Sequence, residues 1–553
     1  MKQLQIEEVQ HSADILVVGG GIAGLTAAIS AKEKNPDSEV LIVEKQTTGY
    51  GGKANKGGGV LQYFDLEHIP PEQFVEYHAN AVGCFLGNQN LMIKYVAMNN
   101  EMLDRLEGWG VTIPKTRIPT GPMTYMVGVD LNITLQMRRK AEKLGVKIID
   151  KVTVSDLLTD QGKIAGAVGY SLLDGTFYTL KAKSVILATG SQNYRVQPMW
   201  SCGRGDGIAA AYRAGAEMRN TEFGNFAQLY KLHTCQEVVF GENSMYNALG
   251  QNVTKNFRRF PEADISATAI REWYEQMSAG KGPIYLRVPD RDDDGLMKIW
   301  DRPYGVPFWT ADHGKAAGKD PKMEVVPGFV GEQSPVRVGE DMQTTIGGMY
   351  AAGDVCYCGS AAPGAVPAPP GRNRGSGILN AVFAGIISGE SAAEYITNAA
   401  EPVLDEKQIA ALKESAYAPL VKEDGIDAVE VIEDIQNILC PVENSIYMSQ
   451  NRLNIAMRKL EKVKAKAGQM KAKDFHDLLA CHEAESMVLC AEMQLRSAMM
   501  RKESRGWFLR EDYPGMDNEN WLKWIIVKND NGEMAFRTED VPIHEYKVQP
   551  PKF

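Results

Sequence analysis

No stretch of the sequence carries 18 or more consecutive apolar residues, which excludes a helix long enough to span a bilayer. The opening residues, MKQLQIEEVQHSAD, lack the charged-then-apolar layout of a secretory leader, so a cytoplasmic protein is expected. Cysteine is sparse and scattered: Cys84, Cys202, Cys235, Cys356, Cys358, Cys440, Cys481 and Cys490 include no C-x-x-C pair. That spacing argues against an iron–sulfur cluster or a zinc held by the chain itself, and the thiols read as reduced packing residues. A basic stripe is also missing. The formal net charge is −10, which removes nucleic acid as a partner and bespeaks solubility. Internal repeats and low-complexity segments are absent. What remains is an ordinary globular composition, 44% hydrophobic and 24% charged, in 553 residues. That length suits about two to four domains.

Asp14 to Val18 is a short apolar run that reads as a buried parallel strand, and Ile22 to Lys32 reads as the helix after it. A second apolar strand, Val40 to Val43, ends in Glu44. Between strand and helix lie Gly19, Gly21 and Gly24 in the spacing G-x-G-x-x-G. Each has a physical task. Gly19 permits the tight turn, Gly21 lets the backbone approach a pyrophosphate, and Gly24 lets helix pack on strand. The helix N-terminus, at Ile22 and Ala23, offers N–H groups and positive potential to an anion. Glu44, with Lys45 beside it, ends the second strand where a carboxylate can accept hydrogen bonds from the adenosine ribose. The alternative, a glycine-rich turn with no ligand, would not require strand, spacing, helix and acid together.

Farther on, Lys147 to Leu158 and Lys163 to Leu180 read as strands joined by a turn at Asp160 to Gly162, and Val185 to Leu187 reads as another buried strand. It ends in Ala188, Thr189 and Gly190, which resemble the ATG segment that flavoproteins place against their dinucleotide. Met349 to Asp354 resembles their later AGD motif, with Gly353 and Asp354 directed at the ribityl chain. These two segments favour FAD over NAD. Val152 and Asp206 complete the dinucleotide contacts expected here.

Longer segments widen the resemblance. The glycine-rich stretch Gly51, Gly52, Lys53 to Gly58 and Gly59 is similar to a loop over the flavin. Gly203 to Gly207 and the following Ala209 to Ala216 resemble a TGDG–helix–RAGA segment. Gly371 to Leu379 resembles GANRLGSNSL, in which Ser376, Gly377, Ile378 and Leu379 open a helix pointing at the flavin ring. Arg501 to Gly506 and Arg510 to Pro514 resemble the ESRGAH–REDYP signature. Together these motifs identify the chain as a member of the flavoprotein family of succinate dehydrogenase, fumarate reductase, L-aspartate oxidase and adenylylsulfate reductase. The resemblance implies an α/β fold: a Rossmann-type FAD-binding domain, an inserted α+β capping domain and a C-terminal helical domain. Composition shifts between about 225 and 335, and the domains are expected at 1–240 and 335–400 (FAD-binding), 241–334 (cap) and 401–553 (helical domain and tail). Within the last, Leu453, Met457, Leu460 and Val463 recur at helical spacing.

Departures from the family carry as much information. The histidine that links FAD covalently falls at Gly51 or Gly52, so the flavin is expected to be non-covalent. Ala227 stands at a carboxylate-binding histidine, Ala263 at the proton-delivering arginine, and Val330 to Pro335 lacks a second histidine. A carboxylate clamp needs charged donors in fixed geometry, so fumarate is not the expected substrate. The nearer type is adenylylsulfate reductase, which implies a small ferredoxin-like iron–sulfur subunit as partner. The expected reaction is hydride transfer between flavin N5 and a small organic substrate, either an activated double bond or an adenylylsulfate-like compound. An oxidase of the L-aspartate oxidase kind and a flavin-holding electron-transfer subunit are the alternatives. Catalytic candidates are Arg374, which survives from the family's constellation, Arg337 before the AGD strand, and His233. Arg372, Tyr304 and His313 are further candidates, and the proline-rich run Ala361 to Gly371 is read as a stiff loop over the flavin.

Overall fold

The computed structural model describes residues 6–56, 60–64, 66–113, 118–119, 124–129, 132–196, 203–225, 227–232, 245–254, 266–286, 323–356, 377–506 and 508–551. Its first element, β1 (Glu8–Val18), runs into α1 (Ile22–Lys34) and then β2 (Val40–Glu44). β1 and β2 pair in parallel, Val17 opposite Ile42, and the apolar residues of the paired stretch are buried. Helix α1 is buried over most of its length, Ile22 to Ala31, because alanine and glycine let it lie close to its neighbours. β3 (Val60–Phe64), β4 (Ile118–Pro119) and β5 (Thr124–Gly128) form a small antiparallel sheet.

The main sheet is completed by β6 (Lys147–Asp150), β7 (Val152–Asp160), β8 (Lys163–Ser171) and β9 (Phe177–Leu187). Its order is β6-β2-β1-β9-β8-β7, with a further strand beside the end of β9. β6, β2, β1 and β9 run parallel, whereas β7, β8 and β9 form an antiparallel meander. The stretch 163–180, read from the sequence as one strand, is therefore the two strands of a hairpin. Its turn is built locally: Ser171 Oγ accepts from Leu173 and Asp174, Asp174 accepts from Thr176, and Gly175 takes φ +75°.

A second core sits apart from the first. After β10 (Met218–Arg219), the strands β11 (Ala227–Lys231), β12 (Met245–Tyr246), β13 (Tyr285–Leu286) and β14 (Met323–Phe329) form a sheet in the order β11-β14-β13-β12. Leu229, Met245, Ile270, Ile284 and Val325 fill its interior. This small sheet takes its outer strand from residues ahead of 241, because β11 pairs with β14, Ala227 opposite Phe329.

The chain then returns to the main sheet through β15 (Met349–Ala351), parallel to β9. Helix α2 (Gly377–Tyr395) packs across α1. A Cβ on Gly385 would come within 2.7 Å of the Ala23 carbonyl oxygen, and one on Gly389 within 2.3 Å of that of Ala27. Four long helices follow: α3 (Glu406–Val421), α4 (Ala428–Leu439), α5 (Gln450–Ala467) and α6 (Phe475–Met500). Leu453, Leu460 and Val463 of α5 are buried and Met457 is half-buried, as the spacing predicts. Among the described residues no helix is long and apolar enough to cross a membrane. The tryptophan- and charge-rich tail is a hairpin, β16 (Lys523–Asp530) and β17 (Glu533–Asp540), added to β10.

Candidate functional site

The parallel strands β1, β2, β9 and β15 all end toward the same rim, and there the glycine segments meet. Gly19 has φ +108°, and a Cβ on it would lie 2.4 Å from the carbonyl oxygen of Ala188. Only glycine lets these two turns touch. Gly24 would place a Cβ 1.9 Å from the carbonyl oxygen of Gly19, so it holds α1 against the turn. Gly21 differs: among the described residues a Cβ there meets nothing within 4 Å. Gly52, at φ +83°, faces the same space, its Cβ position 3.6 Å from the Gly21 Cα. A backbone-walled slot therefore opens above the first turn of α1. The first intrahelical bond runs from Leu25 N–H to Gly21 O, which leaves the N–H groups of Ile22, Ala23 and Gly24 at the helix end.

Glu44 secures the turn beneath the slot. One carboxylate oxygen accepts from Gly20 N–H at 2.6 Å and the other from Gln46 N–H at 2.7 Å. Next to it, the Lys45 ammonium meets Asp206 at 2.6 Å and Glu483 of α6 at 3.3 Å. Burial pulls Lys45 toward neutrality, but the two carboxylates prevail and hold it above the usual lysine value. Thr189 Oγ1 and Asp206 Oδ1 are buried oxygens with no hydrogen-bond partner among the described residues. Thr189 packs directly on the helix that Asp206 opens, and a Cβ at Gly207 would come within 2.1 Å of Thr189 Oγ1. Val152 is buried at the start of β7.

On the other flank, Gly353 takes φ +74° and packs on α1, a Cβ there lying 2.8 Å from Ala23 Cβ. Asp354 thus sits over the helix N-terminus, where Lys53 reaches it at 3.0 Å; the same ammonium meets Glu332 at 2.6 Å. Gly377 and Ile378 are half-buried at the start of α2, and Leu379 is buried. Open space at Gly21 and Gly52, outward N–H groups on α1 and the unpartnered oxygens of Thr189 and Asp206 fit a dinucleotide's phosphates and hydroxyls.

Of the catalytic candidates, Arg337 lies elsewhere in its contacts. Its guanidinium is fixed by Glu217 at 2.8 Å and Glu539 at 2.7 Å, tying β17 to the segment before β15. Both terminal nitrogens are thereby held by carboxylates, which gives Arg337 a pinning role between these segments. Arg374, Arg372, His233, Tyr304, His313, Gly58, Gly59, Ser376 and the proline-rich run 361–371 lie outside the described residues. Ala227 is buried at the start of β11.

Sequence reasoning passed over Glu332 and Glu483. Glu332 stands in a stretch inspected for a missing histidine, so its carboxylate drew no attention; Glu483 is one acid on a long helix, with no local signal. The C-terminal signature also gains a role. Arg501, Glu503, Arg505 and Arg510 have fully buried side chains. Arg501 meets Glu222 at 2.7 Å, and Arg505 forks onto both oxygens of Glu503. Burial pushes the Glu222 carboxyl up, against the pull of Arg501.

Known proteins match this arrangement along its length. Residues 14–229 match the family described as FAD binding domain, and residues 441–552 the one described as fumarate reductase flavoprotein C-term. The chain is 25% identical to the 8-methylmenaquinol:fumarate reductase flavoprotein subunit of Wolinella succinogenes, over 98% of this chain and 93% of that one. It is similar in structure to the quinol fumarate reductase of E. coli, with a TM-score of 0.82 and 20% identity over 98% of each chain. The adenylylsulfate reductase of Archaeoglobus fulgidus gives a TM-score of 0.79 and 21% identity, over 99% of this chain and 98% of that one.

Proposed function

The chain belongs to the flavoprotein family of fumarate reductase and succinate dehydrogenase and is an FAD-dependent oxidoreductase, and on that footing we propose that it reduces an activated double bond or an adenylylsulfate-like compound. In this reading Gly19, Gly21 and the N–H groups of Ile22 to Gly24 hold the pyrophosphate. Glu44 takes the ribose hydroxyls, and Asp354 takes the ribityl chain. Bound FAD supplies hydride exchange at its N5 atom. The chain's own groups orient the cofactor, close one face of the slot with backbone and present Lys53 beside it. Gly51 and Gly52 stand where a linking histidine would be, which supports non-covalent FAD; acid precipitation is expected to leave the yellow chromophore in the supernatant.

One observation carries the choice of substrate class. The segment Glu222 to Ala227, which would supply a carboxylate-binding histidine, ends in a buried alanine on β11. An aliphatic side chain there offers no charged donor to a dicarboxylate. Arg374 remains the residue proposed to meet the substrate. The relative from Wolinella succinogenes is named a flavoprotein subunit, and we extend that arrangement to this chain, with a ferredoxin-like iron–sulfur protein as partner. The test is anaerobic reoxidation of the viologen-reduced protein by fumarate, a series of enoates and adenylylsulfate. Oxidation by an enoate or adenylylsulfate but not fumarate is expected. Turnover of fumarate overturns the assignment of Ala227.

A further inference from the structure

Lys53 begins a single helical turn, Lys53–Lys56, directly after Gly51 and Gly52. Its ammonium lies 2.6 Å from Glu332 and 3.0 Å from Asp354, with side-chain exposures of 23%, 7% and 15% for the three residues. The triad joins three separate segments: the glycine-rich loop, the strap leading back from the small sheet, and the turn after β15. Two carboxylates gathered at so enclosed a place repel. Lys53 offsets one of the two charges. The position is defined by its neighbours. Gly52 faces Gly21 across the slot, and Gly353 rests on Ala23, so the triad lies along the path between the phosphate end and Asp354.

We propose that Lys53 is a positioning residue that sets the reduction potential of the bound flavin, with Glu332 as its opposing partner. The inference rests on the FAD reading above. Reduction adds negative charge to the flavin ring, so a nearby cation favours the reduced form and a nearby carboxylate opposes it. The triad carries one positive and two negative groups. Removing Lys53 takes a positive charge from beside the cofactor; neutralising Glu332 takes a negative one and keeps the ammonium. The two changes therefore move the potential in opposite directions. A clamp that acted only by holding segments together is loosened by either change and has no reason to shift in opposite senses.

The measurement is dye-equilibrated reduction of the purified holoprotein and of Lys53→Met, Lys53→Arg and Glu332→Gln. Lys53→Met is expected to lower the reduced-to-oxidised ratio roughly tenfold, about 30 mV for a two-electron couple. Glu332→Gln is expected to raise it, and Lys53→Arg to stay near the parent because the charge is kept. Should Lys53→Met fail to retain FAD, the rise in Glu332→Gln still decides the matter. Shifts of the same sign, or an unchanged potential in Glu332→Gln, overturn the proposal. A parent protein that purifies and reconstitutes without flavin overturns the FAD reading itself, before any variant is compared.

Discussion

Gly21 and Gly24 belong to one motif, yet the structure asks different things of them. Gly24 is hemmed in by backbone, so Gly24→Ala forces α1 off the turn and is expected to cost about 3 kcal/mol or more. Gly21 has an ordinary backbone, φ −75° and ψ −174°, and no described residue lies where a methyl would go. Gly21→Ala is expected to leave stability unchanged or improve it by about 0.5 kcal/mol, while weakening FAD binding roughly tenfold by filling the slot. Urea melts and flavin titrations on both variants separate the two roles; equal loss of stability would mean the slot is not open as described. A second residue-scale expectation concerns acid. Hydrogen bonds from Arg510 hold the Asp512 carboxyl below the ordinary aspartate value. A carboxyl depressed in the folded state stabilises fully above its unfolded value, near pH 4, and loses that contribution as pH falls through the folded value. Asp512→Asn should therefore flatten the acid limb of a plot of Tm against pH. At this scale the sequence was most legible where chemistry is local. Gly19, Gly21, Gly24 and Glu44 are legible because strand, turn and helix are contiguous. The pairs Lys53–Glu332 and Lys45–Glu483 cross hundreds of residues, and only the fold brings them together.

Elements were legible where periodicity is strong and the partner lies nearby. α1 and β2 end within two residues of where their apolar runs put them, β1 starts at Glu8, well ahead of the expected Asp14, and α5 buries the stripe its spacing foretells. The hairpin inside 163–180 was missed although an Asp174-Gly175 turn signal was present, because the apolar runs on both sides masked it. β11 escaped for another reason: its partner β14 comes nearly a hundred residues later, and composition cannot report a pairing. The crossing of α1 and α2 was likewise invisible, since it depends on Gly385 and Gly389 meeting α1 backbone. Gly389→Leu pushes against the Ala27 carbonyl, and α1 is the element whose N-terminal N–H groups are proposed to hold the phosphates. The variant is expected to lose about 2–3 kcal/mol and to weaken FAD binding together with stability, unlike Gly21→Ala. Melts with and without added FAD check it.

At the scale of the whole molecule, the C-terminal half closes the dinucleotide domain rather than trailing from it. Arg501 reaches back to Glu222, Trp524 donates to the Leu86 carbonyl, and Arg337 is clamped by Glu539 of the last strand. The C-terminal signature is thus a buried latch that sets α6 and the hairpin against the core. A flavin can accept two electrons at once but can also pass them singly, and which donor it uses depends on what can dock near it. A nicotinamide donor needs a second dinucleotide site, and the sequence offers one G-x-G-x-x-G motif with its helix and acid, which the FAD reading already assigns. With a small iron–sulfur protein as donor, the isolated chain should be slow with NADH or NADPH and fast with reduced viologen or a reduced ferredoxin. Stopped-flow reduction of the bound flavin under anaerobic conditions distinguishes these donors directly. Full-rate reduction of the lone chain by NADH would remove the need for a partner and return the chain to a self-contained reductase; selective reduction by ferredoxin, weakening as salt is raised, would mark an electrostatic docking surface.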